Sequence, residues 1–210
     1  MNLIEKLNWR YAVKRYTNAK VPTNKLNNIL EAIRLSASSA GLQPYSVLVI
    51  ENEDLKKQLL PVANDQPQVA EASHLLVFAA WENITEQKVT DYIKFVAATR
   101  NMPLEALELY KNRLLGLTTR SAEENFNWAA RQTYIAMGTG LVAAAEEGVD
   151  ATPMEGFDPA GFDSILGLKE KGLRSVSLLT LGYRDVVNDP MANAKKVRRS
   201  SENLFIHFKN

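Results

Sequence analysis

The chain has 210 residues, of which 46% are hydrophobic, and it carries a formal net charge of +1. A chain of this length can bury one sizeable core, so we expect a single domain over residues 1–210. The near balance of charge argues against a protein whose main role is to hold nucleic acid. There are no cysteines and only two histidines, which excludes disulfides and thiol catalysis and leaves metal sites and hydrolytic triads poorly supplied.

The N-terminal residues contain no apolar stretch of signal-peptide length, and Glu5 lies where such a signal would carry positive charge only. The longest apolar run, residues 134–145, is too short to span a bilayer alone. We therefore expect a cytoplasmic protein without a membrane partner.

Hydrophobic periodicity, helix caps and turn residues predict a chain of mixed helices and strands. Helices are expected over residues 22–35, 54–63, 85–100, 103–114, 121–148 and 158–167. Strands are expected over residues 45–51, 74–81, 150–154 and 175–183. The unbroken apolar run at 74–81 is typical of a central strand that is covered on both faces.

Three longer segments have a distinct character. The helix that begins at the capping box Ser121-Ala122-Glu123-Glu124 is expected to be the buried centre of the domain, because residues 134–145 are apolar or small all round. Residues 85–117 are amphipathic and are interpreted as a helical lid or interface cover, over the substrate side. The tail 185–210 loses periodicity and ends in an apolar stretch, so we expect an edge-strand arm that lies on a partner subunit.

Residues 138–143 match the dinucleotide pattern G-x-G-x-x-A. That fingerprint requires a strand before its first glycine, whereas here one helical pattern runs through both glycines. Close helix packing is therefore the preferred interpretation, and a Rossmann-type dehydrogenase is the alternative.

Basic residues gather at opposite ends of the chain. Arg10 and Lys14 lie four residues apart near the start, and Lys196 and Arg198 lie near the end. If the tail folds back, Arg10, Lys196 and Arg198 would match a phosphate monoester, with about 1.5–3 kcal/mol from each charge-assisted hydrogen bond before desolvation. Arg15 is interpreted as a solvated surface residue.

A polar loop follows the first long helix. Ser38 and Ser39 offer hydroxyl groups there, and Gln43 adds an amide. The loop is either a plain connection or a wall that hydrogen-bonds a polyol or phosphate without adding charge.

Residues 152–157 form a second candidate loop. Pro153 fixes φ and Gly156 removes a side chain, so the backbone between them can present N–H groups to a flat ligand. A tight turn without a ligand is the alternative. Glu155 is a weak candidate for acid or base catalysis because no second carboxylate is placed beside it.

In their order and spacing, five motifs of this chain resemble those of the FMN-dependent nitroreductase family, the NAD(P)H-oxidising flavoproteins of bacteria. The motifs are Arg10-x-x-x-Lys14, Ser36-Ala37-Ser38-Ser39 followed by Gln43-Pro44-Tyr45, Ala72-Ser73-His74 before a strand, Pro153-Met154-Glu155-Gly156-Phe157, and Lys196-Val197-Arg198. The likeness extends over nearly the whole chain.

The resemblance implies an α+β, nitroreductase-like fold. Its central mixed β-sheet would be flanked by helices, with a long buried central helix and a C-terminal arm exchanged between the subunits of a homodimer. Each of two equivalent sites at the dimer interface would hold FMN, with contributions from both chains.

The resemblance also assigns roles to residues. The implied cofactor-binding set is Arg10, Tyr11, Ala12, Lys14, Ser38, Ser39, Gln68, Pro153, Met154, Glu155, Gly156, Lys196 and Arg198, with Lys14 and Glu155 as the catalytic candidates. Lys14 would lie near flavin N1 and the C2 carbonyl, and a backbone N–H at 155 or 156 would face flavin N5. The serines would come from the partner chain. The contact to the pyrimidine edge falls within residues 64–68, at Gln66 or Gln68.

The implied activity is the oxidation of NAD(P)H and the reduction of a small-molecule acceptor such as a nitroaromatic or a quinone. Hydride would reach flavin N5, Lys14 would stabilise the negative charge that develops at N1 and the C2 carbonyl, and NAD(P)⁺ would leave before the acceptor enters, in a ping-pong sequence. Two alternatives remain: a flavin carrier or sensor of the same fold without nicotinamide turnover, and the dehydrogenase based on residues 138–143.

Overall fold

The computed structural model describes residues 1–209. Its helices are α1 (Leu3–Trp9), α2 (Thr23–Arg34), α3 (Glu53–Leu59), α4 (Pro67–Glu71), α5 (Glu86–Arg100), α6 (Glu108–Leu115), α7 (Ala122–Glu146), α8 (Pro159–Leu166) and α9 (Ser201–Leu204). Its strands are β1 (Tyr45–Ile50), β2 (His74–Trp81), β3 (Asp150–Met154) and β4 (Leu173–Gly182). The predicted strands are all present, and the predicted helix 54–63 ends as a 3-10 turn, Pro61–Ala63.

The four strands form one sheet in the order β1-β2-β4-β3, and every neighbouring pair is antiparallel. The predicted α+β class is confirmed, but the expectation of a mixed sheet is wrong for these strands. The reason lies in the connections. After β1 and after β3, the connecting segment leads into the next strand from the same end of the sheet at which the previous strand ended, so the two strands run antiparallel. The length of a connection does not determine whether the next strand runs parallel or antiparallel.

Strand β2 is buried on both faces, as its apolar run predicts. Leu76 and Phe78 face a cluster that includes side chains of α2 and α7, whereas Leu75 and Val77 face a cluster that includes side chains of α3 and α8. All four side chains have no exposed surface. Successive side chains point to opposite faces of a strand, so a strand between two helical layers is apolar at every position.

Helix α7 begins at the predicted capping box. The Ser121 hydroxyl accepts the Glu124 N–H at 3.2 Å, and the Glu124 carboxylate accepts the Ser121 N–H at 2.9 Å. Residues 138–143 lie inside this helix, with no strand before them, so they do not form a dinucleotide-binding turn. A Cβ atom at Gly140 would lie 3.0 Å from Ile33, which shows that this glycine lets α2 approach α7 closely.

Helix α7 is not buried all round, which corrects the prediction. Tyr134, Ile135 and Val142 are 39%, 46% and 39% exposed. Within one chain, α2 and the sheet cover only one side of the helix, so the apolar residues on the other side face solvent.

Helices α5 and α6 form the predicted helical cover and have a small apolar cluster of their own. The cover is tied to the polar loop that follows α2. The hydroxyls of Tyr92 and Tyr110 donate to the Ala40 carbonyl at 2.9 and 2.6 Å. Ala40 has φ of +57°, a left-handed conformation that these two bonds help to hold. The role of the cover over a substrate stays a prediction.

The tail forms no strand within its own chain, and its place as an edge-strand arm on a partner subunit stays a prediction. Residues 185–209 contain one short helix, α9, and no strand. Leu204, Phe205, Ile206 and Phe208 are 54–95% exposed. An edge strand needs a free edge to pair with, and the tail reaches none in this chain. Across residues 1–209, no helix combines the length and the apolar character needed to cross a bilayer.

Candidate active site

A buried ion pair fixes the first segment of the chain to the sheet. Asp150, 3% exposed at the start of β3, accepts hydrogen bonds from the side chain and the backbone N–H of Arg184, which follows β4, at 2.8 Å each. The Arg184 guanidinium also lies 4.3 Å from the ring centroid of Trp9 and 4.5 Å from that of Tyr11. The pair therefore places the residues on either side of Arg10.

Tyr16 extends this attachment along β3 and β4. Its buried hydroxyl lies within hydrogen-bond distance of the side chains of Thr152 and Thr180. Burial raises the pKa of Tyr16 above its ordinary range. The Thr152 hydroxyl donates to the Val13 carbonyl at 2.9 Å, so the backbone between residues 10 and 16 has a defined path along the sheet.

The structure brings Arg10, Lys196 and Arg198 together, as expected if the tail folds back. The Lys196 ammonium donates to the carbonyls of Leu7 and Arg10 at the end of α1. Burial and the charge of Arg198 lower the pKa of Arg10. Burial, Arg10 and Arg198 lower the pKa of Lys196. We call these three residues the cationic cluster.

The cationic cluster has spare hydrogen-bonding capacity. The Arg10 Nε atom is buried and has no hydrogen-bond partner among residues 1–209. The Arg10 Nη2 atom reaches only the Ala151 carbonyl, at 3.4 Å. A buried unpaired donor and mutual repulsion among cations are both unfavourable, and an anionic acceptor would relieve both. The donor set therefore fits a phosphate group.

Lys14 lies on the same segment, four residues beyond Arg10. Its backbone N–H donates to Asp189 at 2.9 Å. Its half-buried side chain makes no hydrogen bond or ion pair within the described part of the chain, so its ammonium is available to a ligand. Ala12 is half-buried beside it.

Arg15 lies at the surface, as predicted, but it is not without a partner. Its guanidinium forms an ion pair with Glu71 at 2.8 Å, although its side chain is 44% exposed. The Glu71 carboxylate also accepts the Tyr16 N–H at 3.0 Å. Arg15 is therefore engaged with Glu71.

The side-chain amides of Asn64 and Gln66 hold the loop after β3. The Gly156 carbonyl accepts from Asn64 Nδ2 at 2.9 Å and from Gln66 Nε2 at 2.6 Å. Asn64 has φ of +54°, which an asparagine adopts more readily than most residues. The loop leaves Glu155 and Gly156 exposed, while Pro153 and Met154 remain in β3.

Two further candidates lie close to this loop. Burial, together with the neighbouring Glu155 carboxylate, raises the pKa of Tyr134 on α7 to about 12. Gln68 lies on α4 and is 3% exposed. Its neighbour Gln66, the other candidate for the pyrimidine edge, is engaged with Gly156.

Ser38 and Ser39 are not joined to the rest of the candidate set within one chain. The Ser38 hydroxyl accepts the Gln43 N–H at 3.0 Å, and the Ser39 N–H donates to Gln132 at 2.8 Å. No described hydrogen bond links either serine to residues 10–14, 153–156 or 196–198. Their assignment to a site in the partner chain stays a prediction.

The sequence interpretation missed the residues that hold the site together. Asp150, Arg184 and Asp189 were not among the candidates, because each acts through a partner that is distant in sequence. The run Asn188-Asp189-Pro190 is typical of a turn, but nothing in it identifies Lys14 as a partner.

Comparisons with known proteins agree with this fold and arrangement. The Nitroreductase family profile matches residues 7–183. YfkO of Bacillus subtilis, provisionally named an NAD(P)H nitroreductase, is 36% identical over 203 residues that cover 90% of each protein. The major NAD(P)H-flavin oxidoreductase of Aliivibrio fischeri is 30% identical over 210 residues that cover 96% of each protein.

A solved structure gives the same result for the fold. A provisionally named nitroreductase of Exiguobacterium sibiricum, crystallised in complex with FMN, superimposes with a TM-score of 0.82 at 21% identity. The match covers 99% of this chain and 98% of that one. The fold defines an α+β protein of the type seen in this FMN complex, and the chain belongs to the nitroreductase family. The predicted family and its α+β fold class are confirmed.

Proposed function

We propose that this chain forms a homodimeric oxidoreductase that binds FMN, takes electrons from NAD(P)H and passes them to nitroaromatic, quinone or similar electron-poor acceptors in a ping-pong sequence. Membership of the family establishes the coarser part, a flavin-dependent oxidoreductase that uses FMN and NAD(P)H. The observation that carries the site assignment is the cationic cluster with its buried, unpaired Arg10 Nε atom.

The cationic cluster suits the phosphate end of FMN. Arg10 supplies the unpaired Nε donor, and Arg198 is exposed at the same place. Lys196 adds charge while its hydrogen bonds to the carbonyls of Leu7 and Arg10 hold the tail against α1. Three charge-assisted hydrogen bonds would contribute about 5–9 kcal/mol before desolvation. Micromolar binding needs about 8 kcal/mol, so burial of the ring adds the remainder.

In this proposal, Lys14 would act at the redox ring. When bound, FMN supplies the two-electron chemistry between the nicotinamide and the acceptor. Lys14 would hold a positive charge at the N1 and C2 carbonyl edge, where negative charge develops on reduction. A preorganised cation in a water-poor site stabilises such charge more than water does. The free ammonium of Lys14 supports this role.

The loop after β3 would form the opposite edge of the ring site. The amides of Asn64 and Gln66 hold the Gly156 carbonyl, which keeps the exposed backbone at residues 155–156 in one orientation. The backbone N–H at Glu155 or Gly156 would then donate to flavin N5. Pro153, Met154, Gln68, Tyr11 and Ala12 are assigned to the surrounding wall.

Three exposed features support a homodimer. Ile135 and its apolar neighbours on α7 lack a cover in one chain. The outer edge of β1 is unpaired in the described sheet and borders a groove of about 520 Å³ lined by apolar residues that include Val47 and Phe95. The apolar residues 204–208 of the tail are also uncovered. A second copy that exchanges its tail would cover all three and would bring its Ser38 and Ser39 to the site.

The proposed function is tested by reconstitution and reduction. The purified protein with FMN should be yellow, and anaerobic NADH or NADPH should bleach it, after which a nitroaromatic or quinone should restore the colour. Protein that stays colourless after FMN is added would contradict the assignment. Bound FMN that neither nicotinamide bleaches would favour the flavin carrier or sensor.

The phosphate assignment is tested with neighbouring arginines. Arg198→Met should weaken FMN binding by about 10- to 150-fold, because one charge-assisted hydrogen bond is lost. Arg199→Met is the control, since the Arg199 guanidinium bonds to the Asn203 carbonyl in its own turn. Equal dissociation constants for the two variants, measured by fluorescence quenching of FMN, would remove Arg198 from the site.

The ring assignment is tested at Lys14. Lys14→Met should slow flavin reduction at saturating NAD(P)H by at least about tenfold, and it should weaken FMN binding by a smaller factor, because the charge matters most in the reduced state. Arg15→Met is the control, since that guanidinium is held by Glu71. Stopped-flow absorbance measures the rate. Equal factors for rate and binding in Lys14→Met would contradict the role.

The dimer is tested by removing the tail end. Deletion of residues 204–210 leaves the cationic cluster in place but removes the apolar segment, so we expect the dimer to dissociate at lower concentration and FMN to be bound more weakly. Analytical ultracentrifugation over a dilution series measures the first effect. A truncated protein with the mass and dissociation behaviour of the full chain would contradict arm exchange.

A further inference from the structure

Asp189 is a buried carboxylate that joins the tail to the segment of Lys14. It is 5% exposed. One oxygen accepts the Lys14 N–H at 2.9 Å and the Tyr11 hydroxyl at 3.0 Å. The other accepts the Met191 N–H at 2.7 Å. The carboxylate thus receives two donors from the segment before the sheet and one from the tail.

Asp189 lies between two other attachments of the tail. Before it, the Asp185 N–H donates to the Arg15 carbonyl at 3.0 Å. After it in the chain, the Lys196 ammonium donates hydrogen bonds to the carbonyls of Leu7 and Arg10. The tail therefore contacts the first segment at the Lys14 end through Asp189 and at the Arg10 end through Lys196.

The donor set of Asp189 requires a carboxylate. Its three donors are two backbone N–H groups and one hydroxyl, and a carboxylate can accept from all of them. An asparagine has one oxygen and one NH₂ group. Its NH₂ would face either the Met191 N–H or the pair formed by Lys14 and Tyr11, so at least one buried donor would lose its acceptor.

We propose that Asp189 is a positioning residue, which sets the distance between Lys14 at the redox ring and the cationic cluster at the phosphate. The proposal rests on the proposed function, because it assigns those two ends to FMN. Asp189 is 5% exposed and bonded to protein groups, so it would act through Lys14 and the tail. Its acceptors fix the Lys14 backbone, and the tail that it anchors continues into Lys196 and Arg198.

The first test measures the hold on the Lys14 backbone. In full-length Asp189→Asn, amide hydrogen exchange of peptides that contain Lys14 should be at least about tenfold faster than in the unaltered protein, with and without FMN. Asp185→Asn is the control, since its side chain accepts the Val187 and Asn188 N–H groups within its own turn. Unchanged exchange in Asp189→Asn would overturn the proposal.

The second test measures the cofactor. Asp189→Asn should weaken FMN binding by at least about tenfold and slow flavin reduction at saturating FMN, whereas Asp185→Asn should stay within about twofold. Asp189→Glu keeps the charge but displaces the oxygens by one methylene, so we expect both losses there as well. An Asp189→Glu variant with normal binding and reduction would overturn the proposal, because charge alone would then suffice. This variant also decides the matter if Asp189→Asn does not fold.

The positioning role of Asp189 and the proposed function can fail separately. If Arg198→Met and Lys14→Met behave as expected but the Asp189 variants bind and reduce FMN normally, the positioning role fails and the proposed function stands. If the Arg198 and Lys14 variants have no effect, the assigned FMN site fails, and with it the role of Asp189 toward that site. The exchange experiment then still reports whether Asp189 holds Lys14.

Discussion

The candidate site depends on the buried ion pair between Asp150 and Arg184. The pair joins the start of β3 to the end of β4, and the rings of Trp9 and Tyr11 pack against its guanidinium. Removing one member of such a pair would leave an uncompensated buried charge, at a cost of about 3–5 kcal/mol. Arg10 lies between the two rings in sequence, so its position follows directly from this pair.

Around that pair, the chain keeps several cations close together. Carbonyls at the C-terminal end of α1 accept the Lys196 ammonium, a place where positive charge is favoured. Two carboxylates, Asp150 and Asp189, lie among the cations and accept their neighbouring donors. Through these contacts, Lys196, Arg184 and Asp189 are hydrogen-bonded to protein groups. The Arg10 Nε atom is buried without a partner, and the Lys14 ammonium makes no hydrogen bond or ion pair within residues 1–209.

Within one chain, two parts of the candidate site are attached to the sheet, whereas the loop of Ser38 and Ser39 is attached elsewhere. Residues 10–14 and the loop after β3 are attached to the sheet through several hydrogen bonds each. The loop of Ser38 and Ser39 is equally well held, but by Gln132 and the tyrosines of the helical cover. A loop can be rigid and still contribute nothing to the site of its own chain. The proposal that it contributes to a partner's site therefore depends on a dimer, for which the exposed apolar surface of α7 and of the tail is available.

Local sequence determined most of the elements. Helix caps, the apolar run of β2 and the glycine after α7 act through neighbours a few residues away, so their patterns can be read from the chain. The cationic residues could be named as candidates for the same reason, since their type and order are visible.

Only the tertiary structure decided how these parts meet. Asp150 and Arg184 are 34 residues apart, Arg15 and Glu71 are 56 apart, and Lys14 and Asp189 are 175 apart. No periodicity connects such positions, and many arginines and carboxylates of the chain could have paired instead. The antiparallel direction of the sheet was equally hidden, because a connection of given length can return to either end. The sequence alone thus determined which residues are available for chemistry, and long-range packing decided which of them share a site.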